Sequence, residues 1–187
     1  MLSRRTLVAS FGGAACAGVL HGAFAASSLS TPSAIPMAEH ERAMRQAIIE
    51  ARRNPIYPFG AVIVRVTGGA VSARGVNTTR ANPTLHGEIS AMNDYVARQG
   101  NKGWSEHILY TTGEPCPMCM SALVWAGIAG VVFGTSIDGI RRAGIEQIDI
   151  AAKAVIDASP FYHGMLLGGV LEAETDRLFM QRKRQRM

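Results

Sequence analysis

Four side chains stand at a spacing that suits a catalytic metal site. His86 and Glu88 flank Gly87, and Cys116 and Cys119 follow in a Cys-Pro-Met-Cys run. A structural zinc site is closed by four protein ligands, whereas a catalytic one has three and leaves the fourth position to water. We therefore predict that His86, Cys116 and Cys119 bind one zinc ion per chain. Glu88 is then the free general base.

The expected local structure separates the metal ligands from the base. Pro115 favours the start of a helix, so Cys116 and Cys119 share one helix face and can reach a single ion. The positive end of the helix dipole then lowers the pKa of both thiols. On a helix, side chains two positions apart point about 200° away from each other. Glu88 is therefore expected to point away from His86 and towards a substrate.

A non-enzymatic zinc module or a redox pair is the alternative for the Cys-x-x-Cys motif. The redox motif of thioredoxin-like chains follows an early strand, whereas Cys116 lies two-thirds of the way along this chain. The His-x-Glu motif also favours the metal. The absence of an open coordination position would identify a non-enzymatic module.

Both motifs resemble those of the cytidine deaminase superfamily, whose zinc deaminases combine His-x-Glu with Pro-Cys-x-x-Cys. The likeness runs from about residue 59 to residue 171. The segment 59–64 is similar to the first strand of guanine deaminases and tRNA adenosine deaminases, and 85–90 is similar to fungal cytosine deaminase. The segment 114–119, with Trp125 beyond it, is similar to bacterial guanine deaminase.

This resemblance implies a zinc-dependent hydrolase that deaminates a small free base or nucleoside. Water activated by zinc would attack an amidine carbon, and Glu88 would carry the proton to the leaving amine as ammonia departs. Asn77 would hydrogen-bond the ring, while Phe59 and Trp125 would form apolar walls. Ordinary core packing remains the alternative for the two aromatic residues, and a turn residue remains the alternative for Asn77.

The substrate prediction depends on the segment after the fourth strand. Bacterial guanine deaminase carries an acidic residue shortly after an Ala-Gly pair, and Gln147 stands at that place here. Glu146 is a candidate replacement, with a solvated surface charge as its alternative. The predicted substrate is a guanine-like purine, with cytosine as the second choice. Gln147 is expected to contact this substrate.

The apolar periodicity predicts an α/β fold: a three-layer α/β/α sandwich around a mixed five-stranded sheet. The first strand is a continuous β-branched run, which is typical of burial on both faces. The segment between the last two strands is long enough for a crossover connection that contains a helix, so these strands should be parallel. The expected helices are 38–53, 85–98, 115–125, 148–158 and 172–184, and the expected strands are 61–66, 71–76, 108–112, 131–133 and 165–171.

The length predicts one folded domain, residues 37–187, which the resemblance identifies as a zinc-dependent deaminase domain. The charge distribution argues against a nucleic-acid-binding surface. The formal net charge is +5, but six cations lie near the ends of the chain, which leaves about −1 for the folded body. An RNA-editing enzyme is a further alternative, because the C-terminal helix resembles that of tRNA adenosine deaminases. If the chain carries an export signal, it is separated from tRNA, which would be the substrate of such an enzyme.

Residues 1–25 resemble a cleavable export signal of the twin-arginine type. Arg4 and Arg5 precede an apolar run, and Ala23-Phe24-Ala25 is a small-x-small cleavage site. An uncleaved N-terminal anchor is the alternative. We expect a 26–36 linker, a periplasmic or secreted protein with no membrane attachment after cleavage, and a homodimer like most relatives.

Overall fold

The computed structural model of the protein describes residues 35–182. The predicted signal peptide, residues 26–34 of the predicted linker and the end of the last predicted helix lie outside the described residues. Within 35–182, no helix combines the length and the apolar character that crossing a bilayer requires.

A mixed sheet of five strands forms the middle layer. The strands are β1 (Gly60–Arg65), β2 (Val71–Val76), β3 (His107–Gly113), β4 (Gly130–Thr135) and β5 (Met165–Leu167). Their order in the sheet is β2-β1-β3-β4-β5. β1 is antiparallel to both β2 and β3, whereas β3, β4 and β5 run parallel to one another. The predicted parallel pairing of the last two strands is confirmed.

Helices cover both faces of the sheet and close the three-layer sandwich that the sequence predicts. The helices are α1 (Met37–Ala51), α2 (Gly87–Gln99), α3 (Pro117–Ala126), α4 (Ile137–Arg142), α5 (Ala152–Asp157) and α6 (Glu172–Met180). One core cluster packs α1 and part of α6 on one face, and a second packs α2, α3 and α5 on the other. Only the last residue of β1 is exposed, as expected for a strand covered on both sides.

Three features of local structure differ from what the sequence predicts. The sequence gives no sign of α4, a helix of six residues with Gly139 inside it, whose N-cap Ser136 accepts a hydrogen bond from the Gly139 amide. The helix predicted from residue 148 begins only at Ala152, because Ala151 is extended. The strand predicted to reach residue 171 stops at Leu167.

Close approach of α2 to the sheet fixes the edge where the site lies. A Cβ atom at Gly75 would overlap the backbone of α2, and one at Gly87 would lie 2.6 Å from the Phe59 carbonyl oxygen. Any larger residue at these positions would push α2 outward. The glycine between His86 and Glu88 is therefore a packing requirement.

Candidate active site and metal centre

His86, Cys116 and Cys119 come together where α2 and α3 begin. His86 is the N-cap of α2 and Cys116 the N-cap of α3, both with extended backbone, and Cys119 lies in the first turn of α3. Their ligand atoms lie within 4.8 Å of one another, with Cys116 Sγ 3.7 Å from His86 Nδ1. This is a compact N/S₂ cluster of the kind that binds zinc.

The chemistry of the cluster fits a divalent metal. The hydrogen bond from Cys119 lowers the pKa of Cys116 to about 4, although burial opposes this shift. The same bond, together with burial, raises the pKa of Cys119. The hydrogen bond with Cys116 also raises the pKa of His86. A metal ion bound to both sulfurs would displace the remaining thiol proton, so that both cysteines bind as thiolates.

Glu88 is almost completely buried beside this cluster, with 2% of its surface exposed. The Thr111 hydroxyl lies 3.5 Å from Oε1, a long contact, while Oε2 has no hydrogen-bond partner among the described residues. Burial raises the pKa of Glu88 from 4.5 to about 7. A carboxyl group with that pKa can both take up and release a proton near neutral pH. Buried carboxyl oxygens are normally hydrogen-bonded, so Oε2 is available to bind a water or a substrate atom in the cavity.

A cavity of about 170 Å³ opens over Glu88, His86 and Cys116. Of the four predicted substrate-binding residues, Phe59, Asn77 and Gln147 line it, and so does Glu146, the candidate replacement for an acidic residue. The lining residues that the sequence analysis did not name are Tyr57, Thr79, Glu114 and Ile145. Tyr57, Thr79 and Ile145 come from segments without a recognisable pattern, whereas Glu114 directly precedes the Pro-Cys-x-x-Cys motif and could have been named from that position.

Asn77 lines the cavity and also makes a local turn contact. It is buried, and its Oδ1 accepts hydrogen bonds from the Thr79 amide at 3.3 Å and the Thr79 hydroxyl at 2.9 Å. This is the local contact of a turn asparagine. The contact occupies the oxygen and leaves the amide nitrogen of Asn77 as the group available to a ligand in the cavity.

Phe59 likewise belongs both to the cavity wall and to a small core. Its ring lies 4.9 Å from that of Phe179, centroid to centroid, and packs beside Ile140 and Ile145. Gln147 is half-buried, and its side-chain amide donates to the Glu146 carbonyl at 2.8 Å.

The structure contradicts the prediction that Trp125 forms a wall of the pocket. Trp125 is 79% exposed and does not line the cavity over Glu88. Its ring instead stacks on that of Phe161, with centroids 5.2 Å apart. The prediction failed because α3 is apolar on all sides, so its sequence periodicity does not reveal which face points inward.

The fold and the cluster define a zinc-binding deaminase domain. Residues 37–135 match the family described as the cytidine and deoxycytidylate deaminase zinc-binding region, and the chain belongs to that family. It is a hydrolase that acts on the C–N bonds of amidines. The family resemblance found in the sequence is confirmed.

Several characterised proteins are similar to this chain. The guanine deaminase of Bacillus subtilis is 34% identical over 132 residues, which cover 67% of this chain and 83% of that protein. A tRNA-specific adenosine deaminase of Rickettsia felis is 32% identical over 143 residues, covering 75% and 94%. The solved structure of a guanine deaminase from Nitrosomonas europaea shares the fold, with a TM-score of 0.64, 20% identity and coverage of 78% and 82%.

Proposed function

We propose that this protein deaminates guanine or a closely similar free purine and releases ammonia. The observation that carries the proposal is the buried Glu88 carboxyl group, whose unpartnered oxygen lies beside a His/Cys/Cys cluster in an open cavity. The similarity to the Bacillus subtilis guanine deaminase supports the choice of a purine.

The size of the cavity favours a single base. Pockets for drug-sized ligands range from about 300 to 1,000 Å³, whereas the cavity over Glu88 measures about 170 Å³. A flat heterocycle fits such a space, with Phe59 as one apolar wall and the Asn77 amide nitrogen as a hydrogen-bond donor to the ring.

The proposed chemistry divides between the metal and Glu88. One zinc ion, held by His86, Cys116 and Cys119, would lower the pKa of a coordinated water and supply the nucleophile. Glu88 would accept a proton from the attacking water and deliver it to the amine that leaves. Its pKa near 7 suits both transfers.

Gln147 is the position that bears on guanine as the substrate. Its amide is turned onto the Glu146 carbonyl and cannot relay a proton, whereas the exposed Glu146 also reaches the cavity rim. Cytosine is the runner-up base. We propose that Glu146 takes the acidic role, so Gln147→Asp should leave guanine turnover unchanged within about threefold. A larger increase would indicate that the natural substrate is another base.

A tRNA adenosine deaminase is the second candidate, supported by the Rickettsia felis relative. A panel of guanine, cytosine, adenine and their nucleosides, run beside an RNA hairpin, separates the two. We expect ammonia from guanine and no editing of the hairpin, because the folded body has no excess of cations to bind a phosphate backbone. Editing of the hairpin without ammonia from any small base would replace the proposal.

We also propose that the protein is a homodimer. α3 carries no charged residue, and its outer face presents Met118, Ala122 and the exposed Trp125. Together with Phe161, these side chains form an apolar surface of the kind that subunits cover in oligomers. Trp125→Arg should convert a dimer into a monomer in analytical ultracentrifugation. A wild-type protein that sediments as a monomer at all concentrations would contradict this proposal.

We further propose that the twin-arginine segment directs the folded protein to the periplasm or the medium. Such export would load zinc in the cytoplasm before Cys116 and Cys119 meet an oxidising compartment, where a free Cys-x-x-Cys pair tends to form a disulfide.

A further inference from the structure

Glu114 is a buried carboxylate that neither sequence motif explains. It is 8% exposed, and none of the ion pairs between described residues includes it. A carboxylate in such a place needs hydrogen-bond donors. Both of its oxygens have one: Oε2 accepts the Ile137 amide at 2.9 Å, and Oε1 accepts the Ala152 amide at 2.8 Å.

The two donors are the first residues of two different helices. Ile137 begins α4 and Ala152 begins α5. Between these helices runs the segment 143–151, here called the substrate segment, which brings Ile145, Glu146 and Gln147 to the cavity. A single carboxylate therefore holds the helix before the substrate segment and the helix after it.

The backbone of Glu114 is fixed at the end of β3, close in sequence to the metal ligand Cys116. Its amide donates to the Thr135 carbonyl at 2.7 Å, which joins the ends of β3 and β4. Two residues further along the chain lies Cys116, the N-cap of α3. The side chain of Glu114 thus spans the distance between the metal cluster and the substrate segment.

We propose that Glu114 is a positioning residue that holds the substrate segment at a fixed distance from the metal ligands and thereby sets the affinity for the substrate. Its carboxylate transfers no proton, since both oxygens are engaged by backbone amides. The effect on affinity rests on the proposed deaminase function, whereas the bracing of the segment does not.

Glu114→Gln tests this role with little change in volume. The glutamine amide can accept only one of the two N–H bonds and turns an NH₂ group towards the other donor. Hydrogen–deuterium exchange of the zinc-loaded protein should become about tenfold faster across residues 137–152, since one charge-assisted bond is lost. Zinc content should stay the same. The KM for guanine should rise severalfold with kcat changed by less than about twofold.

Glu50→Gln is the matched control, because Glu50 is also buried but pairs with Arg53 and Arg74, and none of these three residues lines the cavity over Glu88. It should leave exchange in 137–152 and the KM unchanged. Unaltered exchange in Glu114→Gln overturns the bracing, and faster exchange with an unaltered KM overturns the effect on substrate affinity. If no base releases ammonia, the proposed function fails, and the exchange experiment still decides whether Glu114 braces the segment.

A second variant removes one donor and leaves the carboxylate intact. Proline is favoured at the first position of a helix, and Ala151 already has the extended conformation that precedes proline (φ −62°, ψ 148°). Ala152→Pro should therefore keep α5 while deleting its bond to Glu114. If the two residues act through that bond, adding Glu114→Gln to Ala152→Pro should accelerate exchange less than Glu114→Gln does alone. Full additivity would contradict the proposal.

Discussion

Replacing Glu88 by glutamine should stabilise the protein at alkaline pH while it removes the general base. Glu88 is 2% exposed, and burial raises its pKa from 4.5 to about 7. Because the pKa in the folded state lies above the unfolded value, the folded protein binds more protons between these two pH values. Its stability therefore falls as the pH rises from about 4.5 to about 7.

The magnitude follows from the same two pKa values. Integrating the difference in bound protons gives a destabilisation by Glu88 of about 1 kcal/mol at pH 5 and about 3 kcal/mol at pH 8. Glutamine does not ionise, so the benefit of Glu88→Gln should grow by about 2 to 3 kcal/mol between the two pH values. For a domain of this size that corresponds to a difference of about 5 to 10 °C in Tm.

Urea denaturation of both proteins in the metal-free form, at pH 5 and pH 8 with a chelator present, measures this quantity. Comparing the two pH values removes any effect of the new amide that does not depend on pH. Glu50→Gln serves as the control. It removes a buried partner of Arg53 and Arg74, so it should destabilise the protein at pH 8. A Glu88→Gln benefit that is the same at pH 5 and pH 8 would refute the raised pKa of Glu88.

Three other predictions concern metal binding, pH and export. Cys119→Ser should release zinc and lower the Tm, because the loss of one of three ligands weakens both metal binding and folding. Metal analysis of the purified variant measures the zinc content. A protein that is folded and active without zinc would contradict the metal assignment. The kcat/KM of the wild-type protein should fall about tenfold for each pH unit below the pKa of Glu88, which burial raises to about 7. A profile of kcat/KM that is flat from pH 5 to pH 8 would exclude Glu88 as the base. Replacing Arg4 and Arg5 together by lysine should retain the precursor in the cytoplasm, and unchanged export in cell fractionation would indicate the general secretory route.

The layers and the metal cluster could be predicted because short-range sequence patterns encode them. The β-branched run in β1 and the crossover length before β5 are enough to place these strands. His86, Cys116 and Cys119 are a recognisable set by residue type and spacing alone. Their backbone was less predictable, since His86 and Cys116 are extended caps and not the helical residues that the sequence suggested.

Long-range contacts account for what the sequence did not reveal. Glu114 accepts hydrogen bonds from Ile137 and Ala152, which lie 23 and 38 residues further along the chain. No local sequence pattern predicts such contacts. Trp125 follows the Cys-x-x-Cys motif closely in sequence, yet it lies on the outer face of α3. Proximity in sequence to a metal ligand is therefore a poor guide to proximity in the cavity.

Ammonia release from guanine tests the central claim most directly. Zinc-loaded wild-type protein should convert guanine to equal amounts of ammonia and xanthine, since water replaces the amino group. Glu88→Gln with the same zinc content should be slower by about a hundredfold to ten-thousandfold. Turnover near the wild-type rate in Glu88→Gln, or a zinc-loaded wild-type protein that releases no ammonia from guanine or any other free base, would contradict the account.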